Sequence, residues 1–317
     1  MATAHHTEHD IVVGVPARTI YHLLADVSRW PQYFSPTVHA EVLESSGDTE
    51  RIQLWATAND TVKTWISRRR LDEAARVIEF TQEVTQPPAQ TLRGMWRLTE
   101  VEGGGTKVSF THDYTVIDDD PDGARWLAEV IDTNSRTELA NLKRIAETLA
   151  DAELAPFAFA DTVTIDAGPE AVYDFLNDAA AWPERLPHVA RLVLTEETPG
   201  LQWMEMDTQA PDGTKSTTTS IRICRPSDRI IYKQVKLPAV MSAHTGEWLI
   251  EPNGDGGVTV TGRHTVCLDR AGVAALLGAD TTIAAAQQKV RQALGGNSLT
   301  TLRHAKRFAE ARTVGAR

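Results

Sequence analysis

The chain repeats itself once, at long range, and that duplication constrains every other reading. Ile11-Val12-Val13 leads through Pro16 to Ile20-Tyr21, Leu23-Leu24-Ala25-Asp26 and Trp30-Pro31. Val163-Thr164-Ile165 leads through Pro169 to Val172-Tyr173, Phe175-Leu176-Asn177-Asp178 and Trp182-Pro183. Tyr21 and Tyr173 stand 152 residues apart, as do the two Trp-Pro pairs. Trp96 answers to Trp248, Gly104-Gly105 to Gly256-Gly257, and His112 to His264 at the same offset. Arg76-Val77-Ile78 meets Arg229-Ile230-Ile231 at 153, which implies a one-residue insertion in the second copy. So long a period is a duplicated domain, not a solenoid repeat. Half of 317 residues is enough to close a hydrophobic core. Pro156 interrupts a helical run, which places the boundary near Leu154–Phe159 and the domains at residues 1–155 and 156–317.

Each copy opens with a short apolar run that reads as a strand. A short helix follows: Ile20, Leu23, Leu24 and Val27 recur at helical spacing and Pro31 stops it. Strand patterns then cover Ala40–Leu43, Ile52–Ala56, Val62–Arg70, Val77–Val84, Leu92–Val101 and Lys107–Val116. Turn chemistry separates them at Ser46-Gly47-Asp48, Asn59-Asp60, Pro87-Pro88 and Gly103-Gly104-Gly105. A long helix from about Asp122 to Asp151 closes the copy, with a stripe of Leu127, Ile131, Leu139, Leu142, Ile145 and Leu149. The second copy ends alike, on Val290, Leu294, Leu299, Leu302 and Phe308. Gly295-Gly296 sits inside that stripe, so a kink or break is expected there. The order describes an α+β domain, an antiparallel sheet curled around one helix.

Composition excludes several classes. There are 43 acidic and 32 basic side chains, a net charge of −11, which argues against a nucleic-acid partner. No apolar run approaches the ~20 residues that span a bilayer, so no membrane role is expected. The start of the chain, with His5, His6, Glu8, His9 and Asp10, does not read as a secretory signal, and cytoplasmic residence is expected. The three histidines fall on an expected floppy end. Cys224 and Cys267 make neither a disulfide framework nor a thiolate metal site. No phosphate loop or nucleophile elbow is present. No cofactor and no metal is expected.

Strand alternation selects inward residues. Val108, Phe110, His112, Tyr114 and Val116 share one face; in the other copy the face is Val258, Val260, Gly262, His264 and Val266. His112 and His264 therefore point in, either as hydrogen-bonded core residues or as neutral bases. Alternation does not choose a face for Val62–Arg70, but the repeat does. Arg69 maps onto Arg222 and Ser67 onto Ser220, whereas Arg68 and Arg70 fall on Ile221 and Ile223. Arg69 and Arg222 are either rim cations or inward guanidinium groups able to bind an enolate or carbonyl oxygen. Trp30, Trp65 and Trp96 are core residues or the lining of one flat slot; the second copy keeps Trp182 and Trp248 but has Thr218 for Trp65. Phe34 gives way to Leu186 and Tyr114 to Val266, while His244 adds a polar candidate.

These residues resemble the di-domain aromatase/cyclases of bacterial type II polyketide synthases, within the START-like helix-grip superfamily. The carriers are Trp30-Pro31-Gln32-Tyr33-Phe34-Ser35, Trp182-Pro183-Glu184-Arg185, Trp65-Ile66-Ser67-Arg68-Arg69, the strand through Trp96 and the two long terminal helices. The resemblance spans nearly the whole chain. It implies a tandem helix-grip fold and first-ring aldol cyclisation, typically C7–C12 of a ketoreduced chain, followed by dehydration of a poly-β-ketone on an acyl carrier protein. It further implies a ketoreductase and other synthase components as partners and no cofactor. Carried over residue by residue, Arg69, Arg222, Ser67 and Ser220 anchor the polyketide. His112 and His264 join them as catalytic candidates; Trp30, Phe34, Trp65, Trp96, Tyr114, Trp182 and Trp248 are expected to bind substrate. Single-domain relatives place a tyrosine a few residues after Trp-Pro, where this chain has Thr37 and about Val189. The proton donor is thereby displaced, to His112, Tyr114 or His264. Arg68, Arg69 and Arg70 are one candidate basic cluster for the carrier, of which strand alternation keeps all three from serving together, and alanine at Arg69 or Arg222 is expected to leave stability near wild type. The competing expectation is a non-catalytic START-like carrier of an apolar small molecule.

Overall fold

The computed structural model describes residues 2–58, 61–149, 152–209, 213 and 215–315. The chain divides into two compact units, Met1–Ala152 and Glu153–Arg317. The first contains β1 (His5–Val13), α1 (Ala17–Ala25), α2 (Trp30–Tyr33), β2 (Thr37–Ser46), β3 (Thr49–Ala58), β4 (Thr61–Asp72), β5 (Val77–Gln82), β6 (Ala89–Glu100), β7 (Thr106–Val116) and α3 (Pro121–Leu149). Its sheet runs β1-β7-β6-β5-β4-β3-β2, antiparallel throughout. The second contains β8 (Phe157–Ile165), α4 (Pro169–Asn177), α5 (Trp182–Arg185), β9 (Val189–Thr198), β10 (Leu201–Gln209), β11 (Lys215–Arg225), β12 (Arg229–Lys236), β13 (Met241–Pro252), β14 (Val258–Leu268), α6 (Arg270–Leu277) and α7 (Ile283–Gly315). Its order, β8-β14-β13-β12-β11-β10-β9, is the same topology. Each unit is thus a seven-stranded sheet with one long helix, the α+β helix-grip arrangement in tandem.

Each long helix buries its stripe. In α3, Leu127, Ile131, Leu139, Leu142 and Ile145 are buried, the last three in a core with Ile20, Leu24, Trp96 and Val108. In α7, Leu302, Ala305 and Ala309 pack with Phe175, Leu176 and Trp248.

Two expectations are corrected, and one further element appears. The glycine pair does not break α7, which runs unbroken over 33 residues. Gly295 is a place of close approach: a Cβ there would stand 2.9 Å from Asp161 Oδ2 on β8, besides meeting the Arg291 side chain. His5, His6 and His9 lie not on a floppy end but in β1, paired in register from His5 opposite Tyr114. That strand alternates half-buried and exposed residues, but the half-buried ones over His5–His9 are polar, so hydropathy hides that part and shows only Ile11–Val13. His9 Nε2 lies 2.8 Å from Asp132 on α3 and ties strand to helix. Finally, α6 has no counterpart in the first unit; Asp269 caps it by accepting from Gly272 N–H. The Asn59-Asp60 turn and the expected helix end at Asp151 lie outside the described residues.

Candidate active site

Register sets the site. In the first unit Glu50 on β3 faces Arg69 on β4, Arg69 faces Phe80 on β5, Phe80 faces Gly94 on β6, Gly94 faces His112 on β7, and His112 faces Thr7 on β1. In the second unit the row reads Gln202, Arg222, Tyr232, Gly246, His264 and Phe159. Directly opposed residues project on the same side of a sheet, so each row is one band of inward side chains. The glycine is required. A Cβ at Gly94 would stand 2.1 Å from the Phe80 ring, and one at Gly246 would stand 2.4 Å from the Tyr232 hydroxyl oxygen. The aromatic ring therefore lies across the glycine toward the histidine.

The arginines are inward and buried, with Ser67 and Ser220 beside them. Arg68 and Arg70 are on the outer face, ion-paired to Glu83 and to Asp48 and Glu79, so of the candidate cluster only these two face out and both are already paired with carboxylates. Arg69 Nη1 donates to Leu24 O at 2.9 Å; its Nη2 donates to Ala25 O at 2.7 Å and to Glu50 Oε2 at 2.6 Å. It thus satisfies carbonyls left over at the end of α1. Arg222 Nη2 donates to Leu176 O in the last turn of α4. Trp30 Nε1 bonds Leu23 O and Trp182 Nε1 bonds Phe175 O, both at 3.1 Å. Their rings cover the guanidinium carbons at 5.5 and 5.4 Å. Burial pushes both guanidinium pKa values down, opposed at Arg69 chiefly by Glu50. Where Arg69 meets a carboxylate, Arg222 meets Gln202, whose Nε2 donates to Glu196 at 2.8 Å. Arg69 keeps only Nε unpartnered; Arg222 keeps Nη1.

The histidines differ more. His112 sits edge-on to Phe80 and Phe110, with Nδ1 3.5 Å from Ser135 Oγ. Burial lowers its pKa to about 4. His264 has the same depressed value of about 4, again from burial, with Asp161 opposing and Arg291 adding to the shift. Its Nδ1 lies 3.0 Å from both Tyr232 Oη and His244 Nε2. His244 Nδ1 lies 2.9 Å from Gln234 Oε1. His264 Nε2 is buried without a partner. Tyr232 and Gln234 were not among the residues selected from sequence. The signal was available, since at the 152 offset Phe80 becomes Tyr232 while the glycine it crosses stays glycine.

The aromatic candidates divide. Trp30 and Trp65 pack beside Val27, Ala40, Ile52 and Leu54, and Phe34 stands edge-on to Trp30. Trp96 is elsewhere, stacked on Phe110 at 3.6 Å, so the three tryptophans do not form one slot. Trp248 lies in the second core, and Tyr114 packs against Leu127 and Ile131 and stacks on His5.

Two segments, residues 13–120 and 156–296, match the family described as polyketide cyclase/dehydrase and lipid transport. The chain belongs to that family. It is 41% identical over 309 residues to the granaticin polyketide synthase bifunctional cyclase/dehydratase of Streptomyces violaceoruber, covering 97% of this chain and 95% of the relative. It is 42% identical over 311 residues to the actinorhodin polyketide synthase bifunctional cyclase/dehydratase of Streptomyces coelicolor, with 95% and 96% coverage. The crystal structure of the di-domain aromatase/cyclase BexL from the BE-7585A pathway superposes with a TM-score of 0.89 at 47% identity, covering 96% of this chain and 99% of that one. StfQ, the di-domain aromatase/cyclase of the steffimycin pathway, gives 0.85 at 33% identity, covering 97% and 99%. This polyketide cyclase/dehydratase is therefore an enzyme of the type II synthase class. Among the described residues no helix is long and apolar enough to cross a membrane.

Proposed function

We propose that the protein closes the first ring of a ketoreduced poly-β-ketone, between C7 and C12, and dehydrates it to the aromatic ring. The substrate arrives as a thioester on an acyl carrier protein, in the cytoplasm, with the ketoreductase acting just before it. Residues 1–155 and 156–317 are both aromatase/cyclase domains. The observation that carries this reading is the cross-sheet row: a buried arginine and a buried neutral histidine on one inward face, in the same register in both units. What a pure carrier of apolar molecules would not need is the unpartnered guanidinium nitrogen left in each row, Arg69 Nε and Arg222 Nη1, on the same inward face as a neutral imidazole.

The chemistry asks little more. A methylene between two carbonyls is already acidic, and holding it against the correct ketone supplies roughly 7–11 kcal/mol of the barrier. Arg222 Nη1 or Arg69 Nε donates to the developing enolate oxygen. His264 and His112, neutral at pH 7, accept the carbon-bound proton. Ser67 and Ser220 bond further ketone oxygens, and Trp30, Phe34, Trp65 and Trp182 flank the chain beside the arginines. Trp96, Trp248 and Tyr114 support these groups from the packed core. Incubation with a reconstituted minimal synthase, carrier protein and ketoreductase tests the reading. A product with an aromatised first ring is expected; the same shunt products with and without the folded protein would refute it.

A further inference from the structure

We propose that Tyr232 is the acid that protonates the departing hydroxyl in the second unit, and that His244 and Gln234 are positioning residues that fix the tautomer of His264. The proposal rests on the cyclase/dehydratase reading and adds a division of labour to it. At the three equivalent places the first unit has Phe80, Leu92 and Gln82, so it has neither the hydroxyl nor the second imidazole.

With the Gln234 carbonyl oxygen facing His244, the hydrogen-bond chain has one consistent assignment with both rings neutral. Gln234 Oε1 can only accept, so His244 carries its proton on Nδ1 and presents a bare Nε2. His264 must then donate from Nδ1 to His244 Nε2, 3.0 Å away. That leaves the lone pair on His264 Nε2, the atom that is buried without a partner. Tyr232 Oη, also 3.0 Å from His264 Nδ1, faces an N–H and keeps its own proton for a ligand. Arg222 stands directly opposite Tyr232 in the row. Acid, base and oxyanion donor thus occupy one band of one sheet face. Burial raises the Tyr232 pKa, so the phenol stays protonated until a ligand oxygen takes its proton.

The dehydration balances. His264 Nε2 takes the proton α to the ketone of the aldol; the C–H pair forms the enolate double bond, and the carbonyl π pair moves to oxygen under Arg222. The enolate carbonyl re-forms, the new C=C forms, and the β C–O bond breaks. The departing oxygen takes the Tyr232 proton and leaves as water. The phenolate recovers a proton from the adjacent His264 Nδ1. His264, now protonated on Nε2 alone, exchanges back with water after product release.

Tyr232→Phe and His244→Leu test this, because each installs the residue the first unit carries at that place. In the reconstituted system Tyr232→Phe is expected to accumulate the cyclised β-hydroxy ketone, with dehydration slowed about 10²–10⁴-fold. Ring 15N NMR of the ligand-free wild type at pH 7 should show His264 as the Nδ1–H tautomer, and His244→Leu should lose that signature. If the wild type forms no aromatised ring, the cyclase reading itself fails. If the wild type aromatises and folded Tyr232→Phe does so equally fast, the Tyr232 assignment is wrong. An Nε2–H tautomer of His264 in the wild type overturns the positioning role, whether or not any variant folds.

Discussion

Replacing Arg69 and Arg222 by alanine should give opposite results in stability and in catalysis. Arg69 makes three hydrogen bonds, two to carbonyls of α1 and one to Glu50. Its side chain is 2% exposed and that of Glu50 17%. Removing one partner of a buried ion pair costs about 3–5 kcal/mol, because the other charge is left unpaired. Glu50 retains some access to water, so the lower end, about 3 kcal/mol, applies. At roughly 2–4 °C per kcal/mol for a domain of this size, the transition of the first unit should fall by about 6–12 °C. Arg222 has one bond, to Leu176 O, and no carboxylate in contact. Its hydrogen bond is worth about 1 kcal/mol, and the packing lost with its buried stem is offset in part by release of a desolvated cation. Arg222→Ala is thus expected to melt closer to wild type than Arg69→Ala. Differential scanning calorimetry resolves the point, with Glu50→Gln as a control that removes the ion pair alone. Equal melting losses for the two alanine variants would refute the argument that Arg69 is a helix-end anchor first. In product assays the order should reverse, Arg222→Ala losing about 10²–10³ in the rate of aromatisation.

Acid should weaken the second unit more than the first. His112 and His264 titrate near 4 and His244 near 3 when folded, against 6.5 for the free side chain. The unfolded chain therefore binds more protons below 6.5, so stability is full above that pH and falls as the pH drops toward 4. The loss is on the order of 3 kcal/mol per independent histidine. Urea melts of each unit's transition across pH 7 to 4 read this directly; a flat profile would contradict buried neutral rings. Gly246→Ala should cost about 1–3 kcal/mol, because the new Cβ would lie 2.4 Å from Arg263 O as well as from Tyr232 Oη. It should also break the Tyr232–His264 bond, visible as a changed His264 ring spectrum.

The duplication, the strand order and the inward faces of β7 and β14 were legible because they rest on periodicity and on residues kept in both copies. Arg69 and Arg222 were found for that reason alone, since alternation on β4 is ambiguous. What they do was not legible: the carbonyls of Leu24 and Leu176 reach them only once α1 and α4 are packed across the sheet. Nor was the first half of β1, whose half-buried positions His5, Thr7 and His9 are polar and are held by Tyr114 stacking and by Asp132; only its apolar end, Ile11–Val13, read as a strand. A search that scores identities between copies also selects a particular kind of residue. Arginine bonded to a helix end and glycine beneath an aromatic ring recur in both units and hold the sheet face in place. Along and beside the same row the copies differ at Glu50 against Gln202, Phe80 against Tyr232 and Leu92 against His244. In the first unit those exchanges neutralise the arginine and surround the histidine with apolar groups. In the second they leave a guanidinium nitrogen, a phenol and an imidazole lone pair on one face. Identity between the copies thus located the arginine, glycine and histidine of each row, and the proposed division of labour rests on the mismatches along it.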